Sequence, residues 1–119
     1  MPRFVVLEHD HPVLHWDLML EADGVLLTWR LGQPPLPSSA AIKATRLPDH
    51  RMMYLDYEGP ISGDRGTVKR WDAGNFDEEM DSTPTVKILK MNGASLHGRI
   101  RLESMDAADG HLVFLTPDP

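Results

Sequence analysis

His15-Trp16-Asp17-Leu18-Met19-Leu20-Glu21-Ala22-Asp23-Gly24-Val25-Leu26-Leu27-Thr28-Trp29-Arg30-Leu31 reads as a strand, a tight turn and a returning strand. Successive side chains of a strand leave opposite faces. Leu14, Trp16, Leu18 and Leu20 therefore share one face, and His15, Asp17, Met19 and Glu21 the other. Ala22-Asp23-Gly24 is the turn, because Asp-Gly suits the positive φ angles of a two-residue hairpin. Val25 to Leu31 is apolar enough to be buried on much of both faces.

His15 and Asp17 are two apart on one face, which sets an imidazole beside a carboxylate where one cation could bind both. His9 lies six residues earlier, across Pro12, and could fold back as a third ligand. Two imidazoles and one carboxylate with coordination positions left open are the composition of a catalytic metal site, not of a closed structural one. A single histidine on a strand is more often merely hydrogen-bonded or exposed, and His-x-Asp also arises by chance. The crowding is what adds weight: His9, His11 and His15, three of the chain's six histidines, fall within one short stretch beside Asp10 and Asp17.

The 119 residues suffice for one domain with one core, so residues 1–119 are expected to form a single unit. Apolar content of 41% and charged content of 25% are ordinary for a globular chain and exclude wholesale disorder. Cysteine is absent, so any metal must be held by His, Asp or Glu. The apolar run after Met1 is short and is broken at Glu8, without a signal-peptide cleavage site, and no segment reaches membrane-spanning length. A cytoplasmic location with no membrane contact is the expectation. The net charge of -6 argues against a nonspecific nucleic-acid binder, which needs a basic footprint. An enzyme acting on a single phosphate remains compatible, since a bound divalent cation offsets the local negative charge.

Arg3 to Leu7 reads as the first strand, and Gly32 to Ser39, with Pro34, Pro35 and Pro37, as a loop. Ala40 to Leu47 alternates as a strand that Pro48-Asp49-His50 should break, and Met52 to Tyr57 reads as another strand. Ser62-Gly63-Asp64-Arg65-Gly66 is glycine-rich. No helix signal follows it, so it is read as a turn, not a phosphate cradle. Thr67 to Trp71 is expected to end at Asp72-Ala73-Gly74, with Phe76 to Pro84 an acidic loop or single helical turn. Thr85 to Met91 and Leu96 to Leu102 flank Asn92-Gly93 as a second hairpin with a slightly longer loop. Ala107 to Gly110 turns into a last strand, His111 to Leu115, and Pro117 and Pro119 end the chain. No segment sustains a helical period with caps. Seven or eight short strands with regular turns make the fold class all-β, an antiparallel barrel or sandwich.

A second group is Asp49-His50-Arg51-Met52-Met53-Tyr54-Leu55-Asp56-Tyr57-Glu58-Gly59. Alone, Tyr54 and Tyr57 read as packing aromatics and His50 as a loop residue. Several features then recur in order over most of the chain. They are His9-x5-His15-x-Asp17, Leu20-Glu21, Asp23-Gly24-Val25-Leu26, Trp29, Asp49-His50, Tyr54, Asp56-Tyr57-Glu58-Gly59, Gly66-Thr67-Val68, Trp71-Asp72-x-Gly74, Gly93 and Leu96-x-Gly98-Arg99. Together they resemble the 3′-phosphoesterase domain of bacterial DNA ligase D, the non-homologous end-joining ligase.

The resemblance implies a compact antiparallel β-barrel with long loops that binds manganese or a similar divalent metal, zinc and cobalt being the alternatives. It implies removal of 3′-phosphates and 3′-terminal ribonucleotides from nucleic-acid ends. His9, His15 and Asp17 would be the metal ligands, and His50 and Tyr54 the catalytic residues contacting the scissile phosphate. A nucleic-acid 3′ end or a small phosphoester is the expected substrate, and a DNA-repair protein the expected partner. The family also carries an arginine two residues past the metal-binding aspartate, where this chain has Met19, and a lysine near Gln33; further polar site residues would precede the first strand. Met19 makes no charge-assisted hydrogen bonds to phosphate, each worth about 1.5–3 kcal/mol. Arg46 is the expected phosphate-binding substitute, with Arg30 and Arg51 as alternatives, and Met19→Arg is expected to raise activity. Met19 equally favours a second reading, a barrel that binds metal and phosphate without turnover. A non-haem iron oxygenase using His15, Asp17 and His50 or His97 is a third.

Overall fold

A computed structural model describes residues 1–37, 40–104 and 109–115. Its strands are β1 (Arg3–His9), β2 (His15–Ala22), β3 (Val25–Leu31), β4 (Ile42–His50), β5 (Gly59–Pro60), β6 (Thr67–Glu78), β7 (Val86–Gly93), β8 (His97–Ser104) and β9 (Asp109–Phe114). One 3₁₀ turn, Met52–Leu55, lies between β4 and β5. The expected turn at Ala107-Ala108 and the closing Pro117 and Pro119 lie outside the described residues. No helix among the described residues is long and apolar enough to cross a membrane.

The β2–β3 hairpin forms as its sequence dictates. Asp23 and Gly24 take φ values of 50° and 84°, and Ala22 pairs directly with Val25 across them. From there the antiparallel order runs β1-β2-β3-β4-β9-β8-β7-β6, and β1 pairs again with β6. The result is a closed eight-stranded barrel with no free edge among these strands; β5 is a short addition beyond β6.

Alternation divides the apolar residues into two layers. Phe4 and Val6, Leu18 and Leu20, Trp29 and Leu31 join residues from every other barrel strand in the interior. The opposite faces of β1 to β3 carry Val5, Leu7, Met19 and Leu26, which form a separate outer cluster with Leu55 and Val68. This explains why β1 is buried on both faces: its outer wall is roofed by the 3₁₀ turn and the following loop.

Three local expectations are corrected. Met52 to Tyr57 is not a strand: Met52–Leu55 is a 3₁₀ turn whose Leu55, three residues on from Met52, packs into the outer cluster. β4 does not stop at Leu47. Leu26 pairs with His50 and Thr28 with Leu47, so an extra residue on β4 makes a bulge that accommodates Pro48.

Asp72-Ala73-Gly74 does not end β6, which runs on to Glu78. The Asp72 carboxylate is buried and accepts hydrogen bonds from the backbone N–H groups of Ala94, Ser95 and Leu96 at 3.1, 3.0 and 2.7 Å, tying down the β7–β8 loop. Gly74 is glycine because the Asn92 carbonyl presses on it. Both residues that read as a turn serve the neighbouring hairpin instead.

Candidate metal centre

β1 and β2 bring His9 and His15 face to face as a register pair, and Asp17 follows two residues on along the same face of β2. That face is the outer wall, continuous with Leu7 and Met19. The donor atoms of His9, His15 and Asp17 all lie within 4.8 Å of one another. His15 Nε2 is 3.2 Å from Asp17 Oδ2, and His9 Nδ1 is 3.8 Å from the same oxygen. Ligands on one divalent ion at about 2.0–2.2 Å sit roughly 3 Å or a little more apart.

The hydrogen bonds around the triad settle which nitrogens face inward. His15 Nδ1 lies 2.8 Å from the Val13 carbonyl, and His9 Nε2 lies 2.7 Å from the Arg65 carbonyl. A carbonyl only accepts, so both nitrogens donate their proton to it, and the remaining ring nitrogen of each presents a lone pair to Asp17. Asp17 is buried, and its Oδ1 has no hydrogen-bond partner among the described residues. Two lone pairs and a buried carboxylate pointed at one another repel unless a cation lies between them. The same attraction for positive charge acts on the His15 ring. Burial works against the imidazolium, but the Asp17 hydrogen bond and charge and the Val13 carbonyl outweigh it, and the pKa moves up.

The second wall of the site comes from the 63–66 turn. Gly66, at φ 77°, has the Asp10 carboxylate and the His11 side chain against its Cα, leaving no room for a Cβ. Asp10 Oδ1 accepts the Thr67 N–H at 2.8 Å. This contact holds the His9–His11 segment on the turn whose Arg65 carbonyl orients His9.

A cavity of about 240 Å³ opens over the triad, lined in part by His9, Asp17, Met19, Arg30, His50 and Tyr54. The β4 bulge turns His50 to this side, and its Nδ1 donates to the Pro48 carbonyl at 2.9 Å, leaving Nε2 for the cavity. Tyr54, from the 3₁₀ turn, meets the His50 ring edge-on at 5.9 Å.

Arg46 is not brought to this cavity. Its guanidinium stacks on Trp29 at 4.7 Å, pairs with Asp49 at 3.1 Å and donates to the Thr28 and Leu47 carbonyls. Arg51 borders a neighbouring groove that shares His50 and Tyr54. His97 stands at the start of β8 opposite Asn92, outside the triad. Arg30 is the cation that the hairpin register delivers, directly across from Asp17. A two-residue turn at Asp23-Gly24 already implies that pairing, so the signal was present in the sequence.

The family model described as the DNA ligase D 3′-phosphoesterase domain matches residues 7–107. Among curated proteins, the chain is 35% identical over 107 residues to the multifunctional non-homologous end joining DNA repair protein LigD of Mycobacterium tuberculosis. That alignment covers 83% of this chain and 14% of the relative. It is 37% identical over 108 residues to the multifunctional non-homologous end joining protein LigD of Pseudomonas aeruginosa, covering 84% and 13%. The corresponding protein of Mycolicibacterium smegmatis is 36% identical over 115 residues, with 84% and 15% covered. The chain thus spans about one seventh of the length of these relatives.

Proposed function

Because this chain belongs to the DNA ligase D 3′-phosphoesterase domain family, we propose that it is a divalent-metal-dependent phosphoesterase acting on nucleic-acid 3′ ends, removing a 3′-phosphate or a 3′-ribonucleotide. The observation that carries this reading is the convergence of two imidazole lone pairs on the buried Asp17 carboxylate, with both outer ring nitrogens held by carbonyls. The mixed nitrogen and oxygen donor set suits manganese, with zinc or cobalt as alternatives.

When bound by His9, His15 and Asp17, a divalent cation supplies charge to a phosphate oxygen and acidity to a water. His50, its orientation set by the Pro48 carbonyl, offers Nε2 as the donor to the leaving oxygen. Imidazole suits that task because its charge changes near neutral pH. Tyr54 packs on the His50 ring and, lining the same cavity, would offer its hydroxyl to the phosphate. A net charge of -6 gives little grip on duplex, so a DNA-repair partner protein would deliver the end.

Met19, buried and apolar beside the site, favours the second reading, a metal- and phosphate-binding module without turnover. Release of phosphate from a 3′-phosphorylated primer, with and without manganese, separates the two. Manganese-dependent release that His15→Ala abolishes supports the enzyme. Metal uptake without release supports the module, and no metal uptake by the folded protein removes both.

A further inference from the structure

We propose that Arg30 is the side chain that grips the phosphate at this centre, taking the place of a cation that position 19 does not provide. The inference rests on the phosphoesterase reading for the identity of its ligand and on independent geometry for the residue.

Asp17 and Arg30 are register partners on β2 and β3, so both side chains leave the outer wall side by side. Arg30 lines the cavity over the triad. Its Nε is buried and has no hydrogen-bond partner among the described residues. A buried guanidinium donor left unmatched is costly, and a water, an ion or a ligand group is what completes one.

The neighbouring carboxylate does not complete it, because the ion-pair partners of Asp17 are His9 and His15. Nor does another cavity cation compete for the ligand on equal terms. Arg65 also reaches the cavity, but its Nε and Nη2 donate to the Ser62 carbonyl and hydroxyl at 2.7 and 3.2 Å.

The chemistry of the missing ligand follows from the charges. A guanidinium set beside a dication site is repelled once the site fills, unless an anion spans the two. The planar fork of arginine matches two oxygens of a tetrahedral phosphate. The ligand these charges call for is a phosphate group held by Arg30 beside the cation that His9, His15 and Asp17 would hold. Met19 pairs with Thr28 one step along the same strands, so its neighbour Arg30 restores positive charge to the same patch from the adjacent strand.

The test measures binding of inorganic phosphate, and separately of manganese, by calorimetry on wild type, Arg30→Gln and Arg30→Lys. Phosphate binding is measured in EDTA and again with manganese. Arg30→Gln is expected to weaken phosphate about 10- to 100-fold in either condition, the range for one or two lost charge-assisted hydrogen bonds. Manganese affinity in that variant is expected to hold or tighten, because a repelling charge is gone. Arg30→Lys is expected to recover part of the phosphate affinity, and it carries the comparison with wild type should Arg30→Gln fail to fold.

Unchanged phosphate affinity in a folded Arg30→Gln overturns the proposal. So does a variant that loses manganese and keeps phosphate, since Arg30 would then serve only to balance Asp17. A wild type that binds phosphate through Arg30 yet releases none from a 3′-phosphorylated primer removes the enzyme reading and leaves this one standing.

Discussion

Asp17→Asn is the sharpest single perturbation of the candidate metal centre, because it removes the anion and little else. In the metal-free protein the buried carboxylate faces two imidazole lone pairs, and Oδ1 has no partner among the described residues. An asparagine amide fits the same space and donates an N–H to His15 Nε2, so the variant's own stability is expected to hold or rise. Metal-linked stability behaves oppositely. A cation at one hundred times its dissociation constant stabilises the folded state by about 2.7 kcal/mol. An unfolding entropy of about 2.1 cal/mol/K per residue, taken over 119 residues, makes about 0.25 kcal/mol/K. Wild type is therefore expected to gain about 10 °C in Tm when saturated with manganese and to lose it in EDTA. Asp17→Asn is expected to gain less than about 3 °C at the same concentration. Differential scanning fluorimetry at a series of manganese concentrations reads both values. An undiminished rise in Asp17→Asn would refute the geometry, and so would a wild type indifferent to millimolar manganese.

His50→Gln keeps a polar group on the bulge but loses the proton donor; kcat on a 3′-phosphorylated primer is expected to fall about 10²- to 10⁴-fold, with the manganese-induced Tm rise intact. Gly66→Ala forces a Cβ into Asp10 and His11 and displaces the segment that carries His9, so the manganese dissociation constant is expected to rise about tenfold or more by titration calorimetry. Asp72→Ala strips the acceptor from the N–H groups of Ala94, Ser95 and Leu96; unfolding in urea is expected to show a loss of about 3–5 kcal/mol, while the folded fraction binds manganese normally. Met19→Arg, which the family resemblance alone would have raise activity, is expected with Arg30 already supplying the charge to add little to wild type and to restore much of what Arg30→Gln loses, as read by KM for the primer.

The β2–β3 hairpin was legible because every local signal agreed: strict alternation, an Asp-Gly turn, and two residues with the positive φ that such turns require. The triad was legible for the same reason, since a period of two puts His15 and Asp17 on one face whatever the rest of the chain does. Met52 to Tyr57 misled because a short apolar run has no period of its own to betray a 3₁₀ turn; what decided it was the outer cluster waiting to be covered. Asp72 and Gly74 misled because Asp-x-Gly is turn chemistry only when the aspartate serves its own chain. Here it serves a loop twenty-two residues away, a contact invisible to any local window.

The arginines show where local reading stops. Arg46 and Arg30 look equally available in the sequence, and both lie near the hairpin. Their fates are set by parity. The Ala22–Val25 pairing propagates up the ladder without a shift, so Arg30 must stand beside Asp17 on the outer wall. β4 has no such guarantee. Arg46 pairs with Trp29, an interior residue, and so turns to the Trp29 side; only the extra residue after Leu47 brings His50 back to the outer wall. A bulge is a one-residue change in count, and one residue exchanges the two faces of a strand. Without it the histidine would face away from the triad, and the two halves of the site, sound in themselves, would lie on opposite sides of the barrel wall.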